Sequence, residues 1–159
     1  MEFIQGDALV ANFNRQFDCV ISLAAIEHPT DFHVFVKRLS ELCKPLGFII
    51  IMTDNEGSLV HDMARALYQI GWKMPFERIY SKHHLNHFNV PSLKHLLQMH
   101  GLLIKKVRCH NMPLRAVDIP ASSPTADMIL RSMVGMLFFI GFLTKKTLLQ
   151  TIVCRNGSV

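Results

Sequence analysis

Two rhythms of apolar residues take turns along this chain. Phe17 to Ala25 (FDCVISLAA) is β-branched and apolar on both alternating faces, which suits a strand buried on two sides in a parallel sheet. Asp31 then precedes Phe32, Val34, Phe35, Val36, Leu39 and Leu42, a mostly helical spacing that Asp31 is placed to cap. Lys44-Pro45-Leu46-Gly47 ends that helix, and Phe48 to Met52 (FIIIM) reads as a second buried strand. Asp54 to Ser58 is polar turn sequence. Ser58 is placed to cap a helix over Leu59 to Ile70, with Gly71 closing it.

The pattern then loosens. Residues 72–89 are aromatic and histidine-rich and read as irregular. A helix is expected from Pro91 or Ser92, with Leu93, Leu96, Leu97 and His100 on one face and Gly101 as its stop. Leu102 to Cys109 is a third strand candidate, 111–125 a proline-bearing loop, Ala126 to Phe142 a helix and Thr147 to Cys154 a last strand. The tail from Arg155 to Val159 is expected to fray. Residues 1–9 read as the end of a strand that turns at Gly6-Asp7. Strands alternating with helices predict an α/β domain with a mostly parallel sheet, taken as a single domain over 1–159.

Composition narrows this little. Half of the 159 residues are hydrophobic and 18% are charged, as in a globular domain. The net charge of +5 comes without a basic stripe or a nucleic-acid motif, so no nucleic-acid partner is expected. Cys19, Cys43, Cys109 and Cys154 are scattered and mostly flanked by apolar residues. They suggest buried, reduced thiols and a cytoplasmic protein rather than a disulfide framework. Met128 to Leu143 is strongly apolar but broken by Arg131. A buried helix is expected there, with a helix lying against a membrane surface through 128–142 as the alternative.

In open α/β sheets, ligands bind beyond the carboxyl ends of the strands. Three polar loops follow apolar runs here: Gly6-Asp7-Ala8, Ala24 to His28, and Thr53-Asp54-Asn55. At these residues the chain resembles class I S-adenosylmethionine-dependent methyltransferases. The motifs are Gly6-Asp7-Ala8, Phe17-Asp18-Cys19-Val20-Ile21-Ser22, Ile26-Glu27-His28, Leu42-Cys43-Lys44-Pro45-Leu46-Gly47 and Thr53-Asp54-Asn55, in the family's order. His84-Leu85-Asn86-His87-Phe88, followed by Ser92-Leu93 and Gly101-Leu102, is similar to the branch holding the ubiquinone-biosynthesis O-methyltransferases. Resemblance covers residues 1 to 110; the last helix and strand match in type only.

The resemblance implies a Rossmann-like fold, S-adenosylmethionine as cofactor and a small-molecule acceptor, methylated at oxygen. It implies that Asp7 bonds the adenine amino group, that the Ala8 backbone meets the ring, and that Leu23 offers its backbone to the methionine end. It places Glu27 and His28 near the transferred methyl, with His28 as a candidate general base or a plain pocket-lining residue. Asn55, His84, His87 and Phe88 fall on the acceptor side. The aromatics between Trp72 and Phe88 suit either acceptor stacking or a satellite core. The histidines at 83, 84 and 87 lack a carboxylate or cysteine at a zincin-like spacing, so no metal site is expected.

The chain departs from the family in one large respect. No G-x-G run occurs in it, so the first βα units, with the glycine-rich cofactor loop, are expected to be missing. The strand over 17–25 then becomes an open edge that invites pairing with another chain, as a homodimer for example. The alternative to an enzyme is a non-catalytic remnant or partner subunit that binds another protein through that edge.

Overall fold

The computed structural model describes residues 3–80, 83–119 and 122–157. Its elements are β1 Phe17–Leu23, α1 Phe32–Leu42, β2 Cys43–Asp54, α2 Leu59–Gln69, α3 Met74–Ile79, α4 Val90–Met99, β3 Leu102–His110, a single 3-10 turn at Leu114–Ala116, α5 Pro124–Leu143 and β4 Leu149–Asn156. The strands form one sheet in the order β1-β2-β4-β3. β1 pairs parallel with β2, and β4 lies antiparallel between β2 and β3. β1, β2 and β3 therefore point one way and β4 the other, giving a Rossmann-like α/β sheet with flanking helices.

Helix starts follow side-chain chemistry. Asp31 accepts from the backbone N–H groups of His33 (2.8 Å) and Val34 (3.0 Å), and Ser58 Oγ accepts from His61 N–H at 3.3 Å. Asn89 and Ser92 form a reciprocal capping box, so α4 begins at Val90, before the proline. Gly101 follows it in the left-handed region, with φ of 73°.

Alternation along the strands separates two sheet faces. Val20, Ile49 and Cys154 share one register row, and Ser22, Ile51 and Ile152 the next. These point to α1 and α4 and join Ile26, Val36, Leu39, Phe88, Leu93, Leu96, Leu97 and Leu102 in the hydrophobic core. Between them, Ile21, Leu23 and Phe48 project to the opposite face and stay exposed.

Several expectations change. β1 ends at Leu23 rather than Ala25 and, as an edge strand, is buried on one face only. No strand occurs over 3–16, because no neighbouring strand pairs with that segment; Met1 and Glu2 lie outside the described residues. β2 extends well beyond FIIIM at both ends, since β4 pairs with it as far as Asp54. The stretch read as irregular holds α3, whose Phe76 stacks on Tyr80 with ring centroids 4.2 Å apart. β4 runs on to Asn156, so Arg155 and Asn156 are not frayed; 158–159 lie outside the described residues. All four cysteines are free, but Cys19 is exposed and only Cys43 and Cys154 are buried.

The largest correction concerns α5. It is not a buried helix: Phe138 and Gly141 are its buried residues, while Met128, Ile129, Met133, Met136, Phe139, Phe142 and Leu143 are exposed. The helix packs beside α2 instead of across the sheet. Gly141 permits this, because a Cβ there would stand 2.8 Å from the Lys146 carbonyl oxygen.

The turn before β2 also carries strain. Leu46 adopts φ of 61°, a conformation that costs a side-chain-bearing residue about 1–2 kcal/mol. Gly47 must be glycine, since a Cβ would meet Cys43 Sγ at 2.7 Å and two backbone oxygens at 2.9 Å.

Candidate active site

The carboxyl ends of β1 and β2 open on one mouth. β1 leaves the sheet through Ala24, at φ of 48°, which swings the chain so that Ile26 and Glu27 turn inward. Glu27 is only 3% exposed, and its Oε2 accepts a 2.8 Å hydrogen bond from Thr53 Oγ1 at the end of β2. The Glu27 carbonyl accepts from the N–H groups of Leu85 (2.8 Å) and Asn86 (3.1 Å). Asn86 Nδ2 donates to the Pro29 carbonyl at 2.6 Å. Residues 83–86 are thereby stitched to 27–29, although they lie more than fifty positions apart in sequence.

That stitching sets the chemistry of His28. Its Nδ1 lies 2.8 Å from the His83 carbonyl oxygen. A carbonyl only accepts, so Nδ1 carries the proton, and the neutral ring keeps its lone pair on Nε2. His28 is exposed, with the His84 ring edge-on at 5.1 Å. His84 Nδ1 stands 3.7 Å from Asp54 Oδ2. Burial, then the nearby Glu27 carboxylate, pushes the Asp54 carboxyl above its ordinary range, against the opposing pull of His84, His87 and His28.

The other anticipated residues divide into two groups. Asp7 and Ala8 are exposed in the segment before β1, where Asp7 Oδ1 accepts from Leu9 N–H at 2.9 Å. Arg38 of α1 donates to the Ala8 carbonyl at 3.2 Å and so ties this segment to the domain. Leu23 is exposed at the carboxyl tip of β1. Asn55 is buried, donating to the Thr147 carbonyl at 3.0 Å and accepting from Gly57 N–H at 3.1 Å, so its amide braces the loop after β2. Phe88 is a core residue packed edge-on against Phe32 at 5.7 Å. His87 is exposed and lies against Tyr80, ring centroids 4.9 Å apart. The geometry thus gathers Glu27, His28, His84 and Asp54, and leaves Asn55 and Phe88 with structural partners. Sequence reasoning missed Thr53 and Asp54 as side-chain members, and Asn86 as the stitch. Their signal was present: Thr53 and Asp54 directly follow the apolar run FIIIM, and Asn86 sits inside the HLNHF run.

Comparison with known proteins bears on the family and the fold. The family model described as "Methyltransferase domain" matches residues 4–107. The ubiquinone biosynthesis O-methyltransferase of Azorhizobium caulinodans is 34% identical over 56 residues, covering 35% of this chain and 22% of that protein. A methyltransferase solved in complex with the Haloferax volcanii Trm112 activator superposes with a TM-score of 0.60 at 15% identity, covering 96% of this chain and 60% of its own. A Bacillus halodurans methyltransferase gives 0.58 at 14% identity, covering 99% and 72%. The phosphoethanolamine N-methyltransferase 2 of Haemonchus contortus, solved with S-adenosyl-L-methionine, gives 0.50 at 15% identity, covering 96% and 36%. This chain therefore spans about a fifth of the curated relative and three-fifths of the first of these structures. With a family match over residues 4–107 and the sheet order described above, the chain belongs to the methyltransferase-domain family, of the class I S-adenosylmethionine-dependent type.

Proposed function

We propose that this chain forms the acceptor side of a methyltransferase that moves a methyl group from S-adenosylmethionine to a hydroxyl oxygen of a small molecule. The observation that carries this reading is the fixed tautomer of His28, whose Nδ1 is held by the His83 carbonyl. A hydroxyl acceptor must lose a proton as its oxygen attacks carbon, whereas a neutral amine attacks with a lone pair it already has. A base with its lone pair at the mouth of the sheet suits the first case. His28 Nε2 would take the hydroxyl proton as the acceptor oxygen bonds to the methyl carbon and that carbon's bond to sulfur breaks, the sulfur leaving as a neutral thioether. The stitch between 27–29 and 83–86 holds the ring in place, so part of the orientation is set before substrate arrives.

The residues present fit one flank of the cofactor. Leu23 ends β1 in the open. Asp7 and Ala8 would hold the adenine, and Leu23 the methionine end. When bound, S-adenosylmethionine supplies an electrophilic methyl group on sulfur. Asn55 and Phe88 would support the acceptor wall from behind, with His84 and His87 at its surface.

Calorimetric titration of the purified chain with S-adenosylmethionine tests the reading. Saturable binding in the micromolar range is expected, and His28→Ala should leave it intact while removing methyl transfer to a phenolic or other hydroxyl acceptor. No heat on titration defeats the claim that this chain by itself makes the cofactor site. Full turnover by the His28→Ala variant removes the base.

A further inference from the structure

β3 and β4 are hydrogen-bonded antiparallel neighbours, a pair that a two-residue turn can join. The chain instead places residues 111–148 between them and builds α5 there. This helix neither closes the sheet nor fills the core, since Phe138 and Gly141 are the buried members of its 20 residues. Projected at 3.6 residues per turn, Met128, Ile129, Met133, Met136, Phe139 and Leu143 fall on one half of it. Its two charged residues, Asp127 and Arg131, lie on the other half. They pair at 2.8 Å, and Arg131 also donates to the Leu114 carbonyl at 3.1 Å. The outer half therefore carries no charge. Ser132 lies on it, but its hydroxyl already donates to the Met128 carbonyl at 2.8 Å, so covering it strands no donor.

This surface has the extent of an interface. Eight large apolar side chains of α5 are between 39% and 68% exposed. At about 200 Å² for a large side chain, they present on the order of 900 Å². Monomeric proteins seldom leave more than about 300–600 Å² in one apolar patch. Covering about two-thirds of it on each of two copies exceeds the roughly 1,000 Å² in total that a specific contact requires.

We infer that α5 is the contact between two copies of this chain, packed outer half to outer half with the helices antiparallel about a two-fold axis near Met136. Such an axis sets Phe139 against Met133 of the second copy and Ile129 against its Leu143, apolar on apolar along the helix. Two uncharged faces meet without like-charge repulsion, and antiparallel helices bring opposite dipole ends together. The face is also pre-set. Asn111 donates to the Phe138 carbonyl at 2.9 Å and accepts from Leu148 N–H at 2.9 Å, so the helix needs little ordering on association. A lipid surface fits less well. The length and composition of α5 would allow a membrane crossing, but Asn111, Leu114 and Arg131 bond it into the domain. A helix lying on lipid relies on a basic margin. Of the cations within and directly after α5, Arg131 is paired with Asp127 and Lys146 with Asp62, which leaves Lys145. The contact is independent of the methyltransferase reading and of the open edge of β1.

Analytical ultracentrifugation of the whole chain tests this. At about 100 μM the parent should sediment as a dimer. Met136→Glu sets two carboxylates against each other at the axis and should raise the dissociation constant by about thirtyfold or more. Its circular dichroism should match the parent's, because the side chain lies outside the fold. Phe139→Ser, a milder change on the same half, should also weaken the dimer and decides the matter if Met136→Glu does not fold. Ile21→Glu, on the exposed face of β1, should leave the dimer intact. In samples diluted until monomeric, the α5 substitutions should leave unfolding unaltered, because the face is then in water. A parent that is monomeric at the stated concentration, a dimer that neither α5 variant weakens, or a dimer lost in Ile21→Glu overturns the inference. So does a monomer that pellets with vesicles of phosphatidylcholine and phosphatidylglycerol, which gives the face to lipid.

Discussion

Two packed regions of the molecule are held by different forces. On one side, α1 and α4 bury Val36, Leu39, Leu93, Leu96 and Leu97 against Ile49, Ile51 and Ile152, and the contact is almost wholly apolar. Apart from that face, α2 packs against α3 and α5 through ring contacts such as Tyr68–Phe76 and through a set of individual polar ties. Arg65 bridges Asp62 (2.7 Å) and the Tyr80 hydroxyl (2.6 Å), Lys146 reaches Asp62 at 2.8 Å, and Asn111 donates to the Phe138 carbonyl at 2.9 Å. Apolar burial is non-directional and accumulates with area, so the first side needs only the right periodicity. The second depends on individual partners, many of them exposed, and exposed ion pairs contribute little each. The lesson is that apolar content and burial are separate matters. α5 is the most hydrophobic helix of the chain, yet it leaves most of its apolar surface in the open.

The sharpest way to break this comparison is to empty the apolar side. Leu97→Ala should lower unfolding stability by about 2–5 kcal/mol, the cost of deleting a fully buried leucine with little room for collapse. Urea denaturation measures it, and a loss under about 1 kcal/mol would mean that the α4 side is not the tight one.

On the polar side the comparable effect comes from pH. His61 is buried, its Nδ1 2.8 Å from Ser58 Oγ, and burial, aided by Arg65, pushes its pKa down to about 4. Between that value and the ordinary value of 6.5, the unfolded chain holds a proton that the folded chain refuses. Stability is therefore complete above the ordinary value and falls as the pH drops toward the depressed one, by on the order of 3 kcal/mol. Chemical denaturation across this range should show the loss, and His61→Gln should flatten it.

Leu46→Gly sharpens the picture at the turn shared by α1 and β2. Relief of the left-handed leucine should stabilise the protein by about 1 kcal/mol, read as a higher denaturation midpoint. The smallest effect belongs to α5. Phe139→Ser, on its exposed side, should change stability by no more than about 0.5 kcal/mol, in contrast to Leu97→Ala. A large loss there would show that the exposed face of α5 is in fact covered.

Periodicity, caps and breakers alone located β1, α1, β2, α2, α4, β3, α5 and β4, because each of those signals is local. Asp31, Ser58 and Gly101 act within a few residues of themselves, so they can be read without knowing the fold. The order of loops around Asp7, Glu27-His28 and Thr53-Asp54 likewise sufficed to indicate the family. Three things needed the tertiary structure. Which apolar residues are buried depends on what packs over them, and nothing described covers Ile21, Leu23 or the outer side of α5. Which nitrogen of His28 carries a proton depends on the carbonyl of His83, brought there by backbone bonds to Glu27. The meeting of Glu27 with His84 and Asp54 depends on the adjacency of β1 and β2 and on where the later run folds back, a long-range geometry that no spacing along the sequence encodes.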